Sequence, residues 1–353
     1  MSDIIRISDR PVRFHRATCD PDFSERRVIA SSPWEFVSLW LRKNGNAHAK
    51  VYWEQARHFF ESARELPVQS APLPLYYSFL NAVKALLETK EAAYNPYHGV
   101  AGFDMRAGGR VLLDNEGIKI RGAGLLPSLI SYFQETETDT RYSLSEVLSN
   151  LAFIHRAFTI SYRRRELFLS IHEPRYVKAE AGRARFQATL PDEHTHGQTI
   201  NTIPAAFAVR QLDDEEDDDG WGDHVIESVE TFAWSGARRP TAADLIALTD
   251  FHRNLRRDVN YISGTQPFWY IKRNLAAYRR IERNNLVLIL MAMHRMSEIS
   301  RYKPTELNNL LKGPRNWIVY EFVRGAQNQF IDEIAAEITG YEISPAGVRQ
   351  STF

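Results

Sequence analysis

At 353 residues, with 44% hydrophobic and 25% charged positions, the chain has the composition of an ordinary folded protein, long enough for two modest domains or one large one. Lys+Arg and Asp+Glu both total 44, so no global field points to nucleic acid or a membrane surface. Cys19 is the only cysteine, which excludes an intramolecular disulfide and a cysteine-rich zinc centre.

The opening residues carry Pro11, Pro21, many charges and only short apolar fragments, and read as an extended arm. They lack an apolar run of signal-peptide length, so the expected location is the cytoplasm. Ser32-Pro33 then opens a short helix, with Ser as cap and Pro in the first turn, that stops at Asn44-Gly45-Asn46. A longer amphipathic helix runs from about Ala47 to Leu66, ended by Pro67. The next, Ala71 to Lys90, is the most apolar of the three. Tyr76, Phe79, Leu80, Val83, Leu86 and Leu87 recur at helical spacing, and Ala82 and Ala85 leave room for close neighbours.

From His98 glycines come every few residues, and Asp114-Asn115-Glu116-Gly117 reads as a hairpin turn between Val111–Leu113 and Ile118–Ile120. Helical spacing returns at Leu125–Phe133 and Leu144–Phe158, the second opened by a Ser143/Glu146 capping box. From 159 to about 235, short β-friendly runs (ELFLSIH, RFQATL, FAVRQL, VIESVETFAW) alternate with turn residues. Among them lies Asp213–Asp219, seven acids in a row, a solvated loop without the spacing of a calcium-binding loop. Thr241 caps a helix expected to run through Tyr261, and the aromatic, basic stretch Phe268–Arg283 reads as another amphipathic helix. The last segments are helical to Gly340, with a stop at Lys303-Pro304.

Few of these residues suggest chemistry. Asn81 and Lys84 stand three apart on roughly one face of the apolar helix. With His98 they would either bind a phosphate or nucleotide, or tie the helix to the Gly-rich hairpin through hydrogen bonds. Arg301 would bond helix-end carbonyls or touch a ligand. Asp192-Glu193-His194-Thr195-His196 has two imidazoles on one side if extended, but no second ligand pair for a metal. Phosphate-loop and nucleophile-elbow patterns are absent from the sequence.

In order along the chain, several features resemble the YaaC-like family, bacterial proteins without an established activity. They are Trp34, the Ala56-Arg57-x-Phe59-Phe60 helix, Pro72-Leu73-x-Leu75-Tyr76-Tyr77-x3-Leu80-Asn81-x2-Lys84-Ala85, and His98-Gly99. Lys119-x-Arg121-Gly122-x-Gly124 and Met293-x6-Ser300-Arg301-Tyr302-x-Pro304 complete the set. Residues 72–100 also look like part of the HEPN superfamily, whose active members use Arg-x4-6-His on a helix to cleave RNA. Arg10/His15, Arg42/His48 and Arg165/His172 fit that spacing, but none lies in a segment that reads clearly as a helix.

The expected fold is α+β and mainly α, with N- and C-terminal helical groups packed together and a small β-rich middle insertion. The expected divisions are an arm at 1–32, a helical group with a Gly-rich hairpin at 33–158, the β-rich middle at 159–240 and a helical group at 241–353. The expected function is that of a cytoplasmic, non-enzymatic interaction protein, or one that senses a nucleotide or nucleic acid. Its ligand-binding residues would be Asn81, Lys84, His98 and Arg301, with no catalytic set, no cofactor and no metal. Its partner would be another protein or a second copy, not a membrane. The alternative is a HEPN-type endoribonuclease or nucleotide-processing enzyme in a toxin or phage-defence setting.

Overall fold

The computed structural model describes residues 3–24, 27–106, 111–211, 224–264 and 268–344. The acidic run 213–219 therefore lies outside the described residues. Short strands β1 (Arg6–Ile7), β2 (Arg10–Pro11) and β3 (Val28–Ile29) punctuate the opening segment, and α1 (Pro33–Lys43), α2 (Ala47–Arg64) and α3 (Pro72–Thr89) follow. Then come β4 (Val100–Asp104), β5 (Glu116–Ile120), α4 (Leu125–Tyr132), β6 (Arg141–Ser143), α5 (Leu144–Ser149) and α6 (His155–Tyr162). β7 (Phe168–Lys178), β8 (Arg183–Leu190), α7 (Gly197–Ile200), β9 (Phe207–Gln211), β10 (His224–Ser228) and β11 (Phe232–Ala233) form the middle. The chain closes with α8 (Ala242–Leu255), β12 (Val259–Ile262), β13 (Phe268–Lys272), α9 (Asn285–Tyr302), α10 (Pro304–Leu311), α11 (Asn316–Thr339) and β14 (Ile343–Ser344).

α3 is an interior helix. Pro72 and Pro74 occupy its first turn, where a missing N–H costs nothing, and beyond them it is buried on most sides. It packs against α2, α9 and α11, and the Phe79 and Phe330 rings stack at 4.1 Å. Each fully buried Leu or Phe here contributes about 1.5–3 kcal/mol through removal from water. α9 is buried along nearly its whole length, and Gly340, at φ 76°, ends α11 in the left-handed conformation that suits glycine.

The β component is larger than the sequence suggested, and the expectation of a mainly α protein with a small β insertion is overturned. Of the described residues, 45% are helical and 20% strand, with several sheets. The largest has seven strands in the order β12-β13-β7-β8-β10-β9, with β11 paired to β8. Two of the seven, β12 and β13, come from segments that read as helical. VNYI and FWYIK are rich in β-branched and aromatic residues, and they pair antiparallel, Val259 opposite Ile271 and Ile262 opposite Phe268. The sheet has its own core, including Tyr176, Phe186, Ile226, Tyr261 and Ile271, covered by Leu248, Phe251 and Leu255 of α8.

A second sheet, β4-β5-β6, is also paired differently from the expected hairpin. β5 takes Val100–Asp104 as its partner, not Val111–Leu113. The two capping boxes do form: Ser143 and Glu146 satisfy each other's backbone at α5, and Thr241 and Asp244 do so at α8.

The opening segment runs between the two cores. β7 pairs with β13 through Phe168–Ile171, then bulges between His172 and Arg175. Beyond the bulge, the Ile5 N–H donates to Tyr176 O at 3.0 Å and the Phe14 N–H to Pro174 O at 3.2 Å, so the opening residues occupy the edge that β13 leaves. Phe14 through Cys19 are then buried without a break.

Candidate functional site

The site begins with a loop held by two glycines. Gly99 (φ 73°) and Gly124 (φ 133°) lie back to back, and a Cβ on either would collide with the backbone of the other. The loop is joined to the start of α4: the Leu125 N–H donates to Tyr97 O at 2.6 Å, the Leu126 N–H to His98 O at 3.2 Å and the Arg121 N–H to Gly99 O at 2.9 Å. The His-Gly and Gly-x-Gly patterns are thus two sides of one junction, and its product is a fixed position for His98.

His98 lies over α3. Its Nδ1 is 2.6 Å from the hydroxyl of buried Tyr76, whose acidity is suppressed by burial so that it keeps its proton. The Tyr76 ring stands edge-on to His294 of α9 at 4.9 Å, and the two imidazoles are 6.0 Å apart. Burial pushes His294 down to about 4, and Glu298, 3.8 Å from its Nδ1, offsets only part of that effect. His98 is also held below its ordinary value, first by desolvation and then by the cations of Lys84 and Arg301, against the opposing charge of Glu298. Both imidazoles are neutral at pH 7.

Glu298 belongs to a network that fixes α9 to the small sheet. Arg295 donates to Glu298 at 3.0 Å and to Asp104 at 3.0 Å, and it also pairs with Glu116. Lys303 reaches Asp104 at 2.6 Å. Gly102 makes this possible, since a Cβ there would lie inside Arg295 and Glu298.

Of the four expected site residues, three come together. Lys84, half-buried on α3, places its ammonium 5.3 Å over the Tyr52 ring. Arg301, exposed at the end of α9, lies 4.4 Å over Tyr302. Both act electrostatically on His98, whose ring also meets Tyr77 edge-on at 6.5 Å. Asn81 does not take part in this cluster; it is buried and donates to Tyr77 O of its own helix at 2.9 Å. The result is a rim of three nitrogen-bearing side chains among tyrosines.

The sequence matches the YaaC-like protein family over residues 15–338. The chain belongs to the YaaC-like family. The match takes in α3, the His98 loop and α9, so all three parts of the rim lie inside the family region. The searches of curated proteins and of solved structures give no match. The HEPN likeness is not supported. His172 is in strand β7 opposite Thr189, and Arg42 and His48 lie on different helices, α1 and α2. No described helix is long and apolar enough to cross a membrane.

Two further places differ from their sequence reading. In the Asp192–His196 segment, His194 turns inward to Ser170 Oγ at 3.0 Å while His196 is exposed. No group of three or more possible metal ligands occurs among the described residues. Sequence reading also missed the seam along the opening segment. Arg16 donates to both Asp332 oxygens at 2.8 and 3.0 Å and to Ile343 O at 2.9 Å. Glu337 accepts from the Thr18 N–H, from the Cys19 N–H at 3.2 Å and from the Tyr132 hydroxyl at 3.2 Å. A signal for it existed: acids at 332, 333 and 337 interrupt the apolar positions of the final helix.

Proposed function

We propose that the protein binds a nucleotide on the rim formed by Lys84, His98 and Arg301 and does no chemistry on it. The observation that carries this reading is the convergence of a neutral imidazole and two cations that have no ion-pair partner among the described residues, from three separate segments, on one exposed edge lined with Tyr77 and Tyr302. Cations meet phosphate, and aromatic faces meet a base. The reading as a binder is supported by what the neighbouring acid–base groups already do. Tyr76 occupies His98 Nδ1, and Glu298 is bonded to Arg295, so neither is free to move a proton to or from a ligand.

Calorimetric titration with ATP and GTP tests this. Saturable binding is expected, weakened about tenfold by Lys84→Ala and again by Arg301→Ala. Because the His98 pKa lies below its ordinary value, its positive form appears only in mild acid, and affinity should rise as pH falls through that range. Absence of saturable binding, or phosphate release that His98→Ala abolishes, would refute the proposal. Tighter binding of a single-stranded RNA would transfer the rim to nucleic acid.

A further inference from the structure

The opening segment builds a second polar site, far along the chain from the rim and independent of its reading. A cavity of about 340 Å³ lies between β2, the turn at Asp22–Ser24 and the Tyr341–Glu342 pair. A neighbouring cavity of about 350 Å³ opens beside the same Pro11–Phe14 stretch, and Arg13 and Arg27 line both.

His15 lines the first cavity although it is only 7% exposed. Its Nδ1 accepts the Ala17 N–H at 3.0 Å, which leaves the ring proton on Nε2. No protein acceptor takes that proton among the described residues. The ring is buried but lines the cavity, where a ligand or solvent can meet the Nε2–H.

The charged groups around it divide into used and unused. Glu342 already accepts from the Arg16 N–H at 3.2 Å and pairs with Arg27 at 3.2 Å. Asp22 accepts from both the N–H and the hydroxyl of Ser24, at 3.0 and 2.6 Å. Arg10 donates to Ser24 O at 3.2 Å and has further N–H groups to offer. Arg13 has no acid within ion-pair distance among the described residues. Arg13 and the His15 Nε2–H are thus the cavity donors left without a protein acceptor among the described residues, while Glu342 is held by Arg27 and the two Asp22 bonds fall on Oδ1. An anion meets those two donors. Phe23 and Tyr341 supply flat walls beside it.

We propose that this cavity binds a phosphate monoester, with its phosphate on the Arg13 guanidinium and the His15 Nε2–H and its organic part against Phe23 and Tyr341. A ligand there touches both the opening segment and the residues just before β14, and it would tie the two ends of the described chain together.

The test uses full-length protein carrying Lys84→Ala and Arg301→Ala, so that the rim is weakened about a hundredfold and failure there cannot be mistaken for failure here. Titrated with AMP, this protein should bind at one saturable site. Adding Arg13→Glu, an exposed change that should leave the melting temperature unmoved, should weaken AMP at least about tenfold. In the same background the His15 imidazole nitrogen resonances should move on AMP addition. Inorganic phosphate should bind about tenfold more weakly than AMP. The proposal is overturned by unchanged AMP affinity in Arg13→Glu, by a stationary His15 resonance, or by equal affinities for phosphate and AMP.

Discussion

Burial sets the charge of the polar side chains that α11 carries inward, and Glu333 is the clearest case. It is 2% exposed, accepts from Asn285 at 3.0 Å and Gln329 at 2.6 Å, and is pushed up to about 7, chiefly by desolvation. An acid whose folded pKa exceeds its unfolded value of 4.5 takes up a proton on folding between those values. The stability it contributes is therefore full below pH 4.5 and lost as pH rises through 7, a change of about 3 kcal/mol. Glu333→Gln keeps an acceptor oxygen for both amides and removes the titration. Urea unfolding should show the variant more stable by up to about 3 kcal/mol at pH 8 and indistinguishable from the parent at pH 4. Equal stabilities at pH 8 would mean that Glu333 is charged and solvated there.

Among the elements, the loop–helix junction and the misread strands show different limits of local sequence. The junction needs glycine at 99 and 124 because both have positive φ and neither has room for a Cβ. Gly124→Ala should cost about 2–4 kcal/mol, from left-handed strain plus a backbone clash, and should release His98 from Tyr76. Denaturation would report the first effect, and a rise in the His98 pKa toward its ordinary value the second; a variant as stable as the parent would contradict the geometry. The glycine pattern was plain in the sequence, but the pairing of Gly99 with Gly124 was not. In 268–283 the misleading feature was charge. Lys272 is 1% exposed, with its ammonium on Ile281 O at 3.0 Å, and Arg283 is buried on Glu135 at 2.7 Å. Cations that suggested a wet helical face are interior groups satisfied by distant carbonyls and acids, and the alternation in FWYIK was the truer guide.

At the scale of the whole molecule, the opening segment holds the large sheet to the helical core. Its apolar residues Ile5, Val12 and Phe14 join the sheet's core, and Arg16, Thr18 and Cys19 bond to α11. Arg16→Ala should be severe, about 3–5 kcal/mol, because it leaves the half-buried Asp332 with the Tyr261 hydroxyl at 3.1 Å and without its fully buried cation. The double variant Arg16→Met/Asp332→Leu, which removes both charges, should recover much of that loss in chemical denaturation. If the double variant were as unstable as the single, shape and not charge would be what the seam requires. Helix starts and stops were legible from sequence, since Pro33, Ser143, Thr241 and Gly340 act on backbone groups within a turn of themselves. So was the apolar face of α3. What only the tertiary structure decided is which distant groups meet: β12 and β13 extending the sheet, Asn81 spent on its own helix, and His15 facing a cavity. Caps and periodicity are local interactions written in neighbouring residues, whereas strand partners and buried ion pairs depend on contacts between residues up to several hundred positions apart, which no stretch of the chain encodes alone.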